Sequence, residues 1–141
     1  MQNEIKSISD FFHYYQKTVF EKDIDGMINL YDENVVIFDM WDKGFSLGLK
    51  QWSSIINDWL TSLENEKVKV IFEMTDIQEG EYIGFASAII QFQAIAIDNS
   101  VLRSMRNRIS LGFVKKEGFW KVKHQHTSAP IDSNLKAILN I

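Results

Sequence analysis

Two histidines near the C-terminus have the type and spacing to move protons or to bind an anion. If residues 120–128 form a strand, His124 and His126 share a face with Trp120, because side chains two positions apart point the same way. The opposite face carries two lysines and suits water. We therefore expect both imidazoles to face the protein interior. There, His124 would bind a ligand. His126 would donate a proton to that ligand or orient it.

The preceding predicted strand carries three polar residues in the same alternation: Arg106, Arg108 and Ser110. Guanidinium groups beside imidazoles form a site for a small carboxylate, since arginine binds a carboxylate through two parallel hydrogen bonds. This pattern predicts inward-facing side chains that bind an acidic ligand. One alternative stays open, in which Arg108 pairs with Asp39 and neutralises a buried charge as a structural ion pair.

A His-x-His pair also raises the question of a metal ion. Zinc or iron would require a third ligand and usually a fourth. The remaining histidine, His13, falls on the polar side of its predicted helix. The sequence also contains no glycine-rich phosphate loop. We therefore expect neither a metal site nor a cofactor.

Helical periodicity dominates the first half of the chain. Tyr15 lies on the apolar stripe of a first helix, and Asp23 is placed to cap a short second one. A β-branched strand then ends at Asp39, and Trp52 begins the apolar stripe of a third helix, which we expect to form core and pocket wall. Four predicted strands separated by turn residues follow. Helices before an antiparallel meander predict an α+β fold with the helices packed on one sheet face.

Size and charge narrow the classes of function. With 141 residues, the chain suits one domain covering residues 1–141. A formal net charge of −4 without a basic cluster argues against a nucleic-acid partner. No apolar stretch approaches the roughly 20 residues of a membrane span, and the N-terminus lacks a signal-peptide pattern. We therefore expect no membrane partner and a cytoplasmic location.

One predicted strand carries information about assembly. Residues 82–97 include no charged side chain on either face. A sheet with one face in water would alternate polar and apolar residues there. We expect helices to cover one face and a second copy of the chain to cover the other, which gives a homodimer.

Two segments resemble the nuclear transport factor 2-like superfamily: LYDENVVIFD at residues 30–39 and FWKVKHQHTSAP at residues 119–130. Within it, the chain is most similar to SnoaL-like and ketosteroid isomerase-like proteins. The last strand also resembles the association domain of calcium/calmodulin-dependent kinase II. The resemblance covers almost the whole chain. It implies a cone in which a curved antiparallel sheet wraps around N-terminal helices and encloses a pocket.

The resemblance also implies roles for individual residues. Asp39 stands where the isomerase-like enzymes have their general base, and Tyr15 where they have an oxyanion-hole tyrosine. Ser110 stands where those enzymes place a second oxyanion donor, and Trp41 would form an apolar wall beside Asp39. A carboxylate in an apolar pocket resists ionisation and becomes a better base near neutral pH. Tyr15 would donate a hydrogen bond to the developing enolate oxygen.

The sequence thus predicts a small-molecule-binding SnoaL-like protein and leaves two classes of function open. In the first, a cofactor-independent isomerase or lyase transfers a proton on a hydrophobic ligand. In the second, a non-catalytic module binds a carboxylate through the arginines and histidines, or serves oligomerisation alone. The two classes differ in whether Asp39 is free in the pocket or held by arginine.

Overall fold

The computed structural model describes residues 4–141, which contain three helices and six strands. The helices are α1 (Ile8–Glu21), α2 (Ile24–Ile28) and α3 (Leu49–Ser62). The strands are β1 (Tyr31–Phe38), β2 (Phe45–Leu47), β3 (Lys67–Glu79), β4 (Ile83–Ile95), β5 (Val101–Lys116) and β6 (Phe119–Ser128). None of these helices is long and apolar enough to cross a membrane. The order of elements confirms the expected α+β fold.

The strands form one curved, open sheet in the order β2-β1-β6-β5-β4-β3. Neighbouring strands are antiparallel, except that β1 and β6 run parallel. This one pair departs from the antiparallel arrangement expected for the sheet, because the pattern of residues within β1 does not reveal which strand it will join. The parallel pairing sets Phe38 beside His126. It therefore brings Asp39, the next residue after β1, to the C-terminal end of β6.

The apolar stripe predicted for the first helix is buried in α1. Five large apolar side chains of this helix are at most 8% exposed and belong to the main core: Ile8, Phe11, Phe12, Tyr15 and Val19. The second helix begins at its predicted cap, where the Asp23 carboxylate accepts a hydrogen bond from the Gly26 amide at 3.0 Å. Helix periodicity therefore indicated the buried face correctly in this part of the chain.

The long strands have an inner face that packs on the helices and an outer face that is open. On β5, the inner face is formed by Asn107, Ile109, Leu111 and Phe113, each at most 2% exposed. The residues between them are intermediate or exposed. On β4, the inner side chains are mostly alanines and one isoleucine, whereas Phe85 on the outer face is 54% exposed. Small inner residues on β4 leave room for the packed helices.

Candidate functional site

A cavity of about 830 Å³ lies between α3, the inner face of the sheet and the loop after β1. Ligand pockets in proteins span about 300–1,000 Å³, so this volume suits an organic ligand of ordinary drug size. Helix α3 contributes Trp52 and Trp59, the loop contributes Trp41, and β4 contributes Phe92. These aromatic side chains favour a flat, apolar ligand. Trp52, which was expected in the pocket wall, lines this cavity.

A smaller set of polar side chains lines the same cavity. Helix α1 supplies Tyr15, the end of β1 supplies Asp39, and the inner faces of β5 and β6 supply Asn107, Gln125 and Thr127. Asn107 is 1% exposed, and its Nδ2 contacts the Met40 sulfur at 3.2 Å. A few polar groups in an apolar wall are the features that orient a bound molecule.

Asp39 is half-buried and has no cationic partner among residues 4–141. Burial raises its pKa, and the nearby Asp42 charge adds to the rise. Hydrogen bonds from backbone amides and the Thr127 hydroxyl oppose this, but the pKa of Asp39 stays above its ordinary value. The proposed ion pair with Arg108 is absent, because Arg108 donates to the Ser128 hydroxyl at 3.1 Å. Asp39 is therefore a carboxylate in the cavity wall that accepts hydrogen bonds from neutral donors and forms no salt bridge within residues 4–141.

Tyr15 is 4% exposed and reaches the cavity. Burial, and secondarily the charge of Asp39, raises the pKa of Tyr15 far above its ordinary value, so the phenol stays protonated. Its hydroxyl makes no hydrogen bond to another group within residues 4–141. The neighbouring Tyr14 packs at the edge of the core and does not line the cavity. Tyr15 is therefore the tyrosine of this pair whose donor faces the cavity.

The expected inward orientation of the β5 polar residues is wrong. Arg106, Arg108 and Ser110 alternate with the buried apolar residues of β5 and lie on the outer face. Arg106 pairs there with Glu73 at 3.1 Å. Alternation divides a strand into two sets, but it does not say which set faces inward. The more apolar set of β5 packs against the helices rather than against a partner.

The inward orientation expected for His124 and His126 is also wrong, and a β-bulge is the reason. Phe113 pairs with Val122, whereas the adjacent Gly112 pairs with His124, so Lys123 is an extra residue. The bulge shifts the alternation by one position. Val122 faces inward before it and Gln125 after it, which turns both histidines to the outer face.

The two imidazoles form an aromatic cluster on the outer face. The Phe38 ring lies 4.9 Å from the His124 ring and 5.6 Å from the His126 ring, measured between centroids. Nδ1 of His124 lies 2.8 Å from the Val36 carbonyl oxygen. A carbonyl oxygen only accepts, so this nitrogen carries the proton. The described residues contain no group of three or more His, Cys, Asp or Glu side chains placed to hold a metal ion.

Sequence reasoning missed three polar residues of the cavity: Asn107, Gln125 and Thr127. For Asn107 the signal was present, since it stands in the same alternation as Ile109 and Leu111. A polar residue in a buried series needs a hydrogen-bonding reason to be there. For Gln125 and Thr127, uninterrupted alternation was misleading because the bulge at Lys123 cannot be seen in the residue pattern.

Solved structures share this architecture. An NTF2-like protein of unknown function from Pseudomonas putida KT2440 has a TM-score of 0.83 and 19% identity, covering 95% of this chain and 92% of its own. ActVI-ORFA from Streptomyces coelicolor has a TM-score of 0.74 and 10% identity, covering 86% and 92%. A candidate calcium/calmodulin-dependent protein kinase II association domain from Xanthomonas campestris has a TM-score of 0.73 and 12% identity, covering 95% and 87%. At such identities these likenesses show the fold alone.

Comparison at the level of sequence identifies the family of this chain. A search of curated proteins gave no match. The family model described as a SnoaL-like domain matches residues 8–132, which include α1, all six strands and every polar cavity residue described above. The chain therefore belongs to the SnoaL-like domain family.

Proposed function

We propose that the cavity binds a small, neutral, hydrophobic ligand and that Asp39 moves a proton on it. The SnoaL-like fold supports small-molecule binding in general. The observation that carries the finer proposal is the unpaired Asp39 carboxylate, whose pKa is raised by burial, beside the protonated Tyr15 hydroxyl. A base and a neutral hydrogen-bond donor in one apolar cavity suit proton transfer next to a carbonyl group.

In this reaction, Asp39 removes a proton from a carbon adjacent to the ligand's carbonyl. The electron pair of the broken C–H bond forms a C–C double bond, and the carbonyl oxygen gains negative charge. The Tyr15 hydroxyl stabilises that oxygen by donating a hydrogen bond. If the ligand carries a C–C double bond next to that carbon, Asp39 can return the proton to the far end of the conjugated system, and the net result is an isomerisation in which this double bond moves. Because the proton is returned, the reaction needs no redox cofactor.

The carboxylate-binding alternative has less support. The arginines and histidines on which it depended lie on the outer face of the sheet. Arg103 does line the cavity mouth, but its guanidinium group pairs with Glu66 at 2.7 Å. The Asp39 charge would repel an acidic ligand that entered the cavity. A neutral ligand needs no cationic partner and is not repelled by Asp39.

Thermal unfolding with three related compounds tests this proposal. We expect 2-tetralone and 2-naphthol to raise the melting temperature, and 2-naphthoate to leave it unchanged. A ligand that binds only the folded state at a hundredfold over its Kd adds about 2.7 kcal/mol of stability. Stabilisation by 2-naphthoate alone would favour the carboxylate-binding module and overturn the proposed neutral ligand.

We also propose that a second copy of this chain covers the outer face of the sheet. Phe85 on β4 is 54% exposed and Ile83 is 72% exposed, and no charged side chain interrupts this strip. Asp76 on β3 and Arg108 on β5, both exposed, flank β4 on opposite sides. Two copies related by a twofold axis would bury the apolar strip and bring opposite charges together. The likeness to a candidate association domain supports self-assembly.

Sedimentation velocity at micromolar concentration checks this interface. We expect the wild-type chain to sediment as a dimer and Phe85→Asp to sediment as a monomer, because the new charge would have to be buried. Leu135→Asp serves as the control, since Leu135 is 79% exposed and lies outside the strip. A monomeric wild-type chain, or a dimer that persists in Phe85→Asp, would contradict the proposed interface.

A further inference from the structure

Gln125 is a buried polar residue of the cavity whose amide has a partner on only one side. It is 3% exposed and lines the cavity from the inner face of β6. Its neighbours across the sheet are Leu111 on β5 and Ile37 on β1, both apolar. An amide in such surroundings is costly to bury unless it forms hydrogen bonds.

Tyr31 fixes the orientation of this amide. Its hydroxyl donates to Oε1 of Gln125 at 2.6 Å, and both side chains are buried. Burial raises the pKa of Tyr31 well above its ordinary value, so the phenol remains a donor. With Oε1 occupied, Nε2 must point the other way. Within residues 4–141, Nε2 donates to no other group, so its N–H bonds are available to whatever fills the cavity.

The hydroxyl of Tyr15, which makes no hydrogen bond within residues 4–141, belongs to the same cavity. Burial, and after it Tyr15, raises the pKa of Tyr31, and Asp39 contributes to the raised pKa of both tyrosines. Two neutral donors, the Tyr15 hydroxyl and the Gln125 amide, therefore line the same cavity as the Asp39 carboxylate. That carboxylate accepts a hydrogen bond from Thr127, two residues after Gln125 on the inner face of β6. A ligand oxygen that accepts from both donors would hold its adjacent C–H bond near Asp39.

We infer that Gln125 is the second donor to the ligand's carbonyl oxygen and that Tyr31 is its positioning residue. This inference rests on the proposed function. It replaces Ser110, which was expected in that role and lies on the outer face instead. It also narrows the ligand to a class: a flat, largely apolar ketone whose oxygen accepts two hydrogen bonds and whose adjacent carbon carries the transferred proton.

The test compares 2-tetralone with tetralin, which has the same rings but no carbonyl group. The variants are Gln125→Met, which keeps the side-chain length, and Tyr31→Phe, which removes only the hydroxyl. We expect Gln125→Met to weaken 2-tetralone binding by about 3- to 10-fold, the value of one neutral hydrogen bond. Tetralin binding should not change. In Gln125→Met, the infrared carbonyl band of bound 2-tetralone should lie at higher frequency than in the wild type. Hydrogen bonds to the oxygen lower that frequency, and the variant has lost one of them.

The double variant separates a positioning role from a structural one. If Tyr31 acts through Gln125, Tyr31→Phe should give a smaller shift of the same sign, and the double variant should match Gln125→Met alone. Additive effects would overturn the role of Tyr31. Equal losses for 2-tetralone and tetralin, or an unchanged carbonyl band in Gln125→Met, would overturn the role of Gln125.

A parallel measurement distinguishes failure of this inference from failure of the proposed function. If the carbonyl band depends on Gln125 but the wild-type protein does not catalyse α-proton exchange of 2-tetralone, the donor site stands and the proton-transfer function is wrong. If exchange occurs and neither the carbonyl band nor the exchange rate responds to Gln125→Met, the function stands and the inference is wrong.

Discussion

Asp39→Asn is expected to slow α-proton exchange of 2-tetralone by about 10²- to 10⁴-fold, the usual contribution of a general base. Asparagine has nearly the same shape but cannot accept the proton. Exchange is measured by the loss of the α-proton NMR signals in deuterated water, with wild-type protein and buffer as references. The same substitution should leave the free energy of unfolding at pH 7 equal to that of the wild type, or raise it.

The expected stability follows from the raised pKa of Asp39. A carboxyl group whose pKa is higher in the folded state contributes stability that is fully present below its unfolded pKa, about 3.9. That contribution is lost as the pH rises through the folded pKa. At neutral pH, the ionised Asp39 therefore weakens the fold, and the neutral amide removes this penalty. The difference between variant and wild type should shrink as the pH falls towards 4.

Asp32→Asn provides a matched control with the opposite sign. Asp32 is 4% exposed, and its carboxylate pairs with Lys116 at 2.6 Å. Burial opposes ionisation, but hydrogen bonds from Lys116 and the Asn34 amide outweigh it and hold the pKa below its usual value. This stability is present at neutral pH and is lost as the pH falls through the lowered pKa. If Asp39→Asn destabilised the protein as Asp32→Asn should, Asp39 would be a structural acid.

These contrasts show which parts of the site could be predicted from the sequence. Tyr15 and Trp52, which were expected to reach the pocket, both line the cavity, and each lies on a helix with one clear apolar stripe. A helix that has one apolar face leaves little doubt about the side that packs. Asp39 could be placed at the end of a strand for a similar reason, since the β-branched segment before it is short and well bounded.

The strand residues failed for two different physical reasons. On β5, alternation separates the set of Ile109 from the set of Arg108 but does not say which set faces the helices, and the more apolar set proved to be the inner one. On β6, the face changes at Lys123, because one inserted residue reverses every position after it. The bulge turns Gln125, rather than the two histidines, towards the cavity. The parallel pairing of β1 with β6 places Asp39 at the C-terminal end of β6. This pairing depends on tertiary contacts, and the local sequence does not indicate it.

Tyr15→Phe is the second variant with a large expected effect. Removing one oxyanion donor usually costs about 10²- to 10³-fold in rate, and we expect that loss in α-proton exchange of 2-tetralone. The Tyr15 hydroxyl has no hydrogen bond to the protein within residues 4–141, so its removal should not lower the melting temperature. Because the phenol stays protonated, the pH profile of the remaining exchange should keep the shape set by Asp39.

Tyr14→Phe is the matched control, since it removes the same atom from the adjacent residue on α1. Tyr14 packs at the edge of the core, outside the cavity lining, so exchange should be unchanged. Equal losses in both variants would mean that the hydroxyl groups act through the packing of α1 rather than on the ligand. If only Tyr14→Phe slowed the exchange, the side of α1 that faces the cavity would differ from the one described above. Only a loss confined to Tyr15→Phe, at unchanged stability, fits a donor that stabilises the ligand oxygen while Asp39 holds the proton.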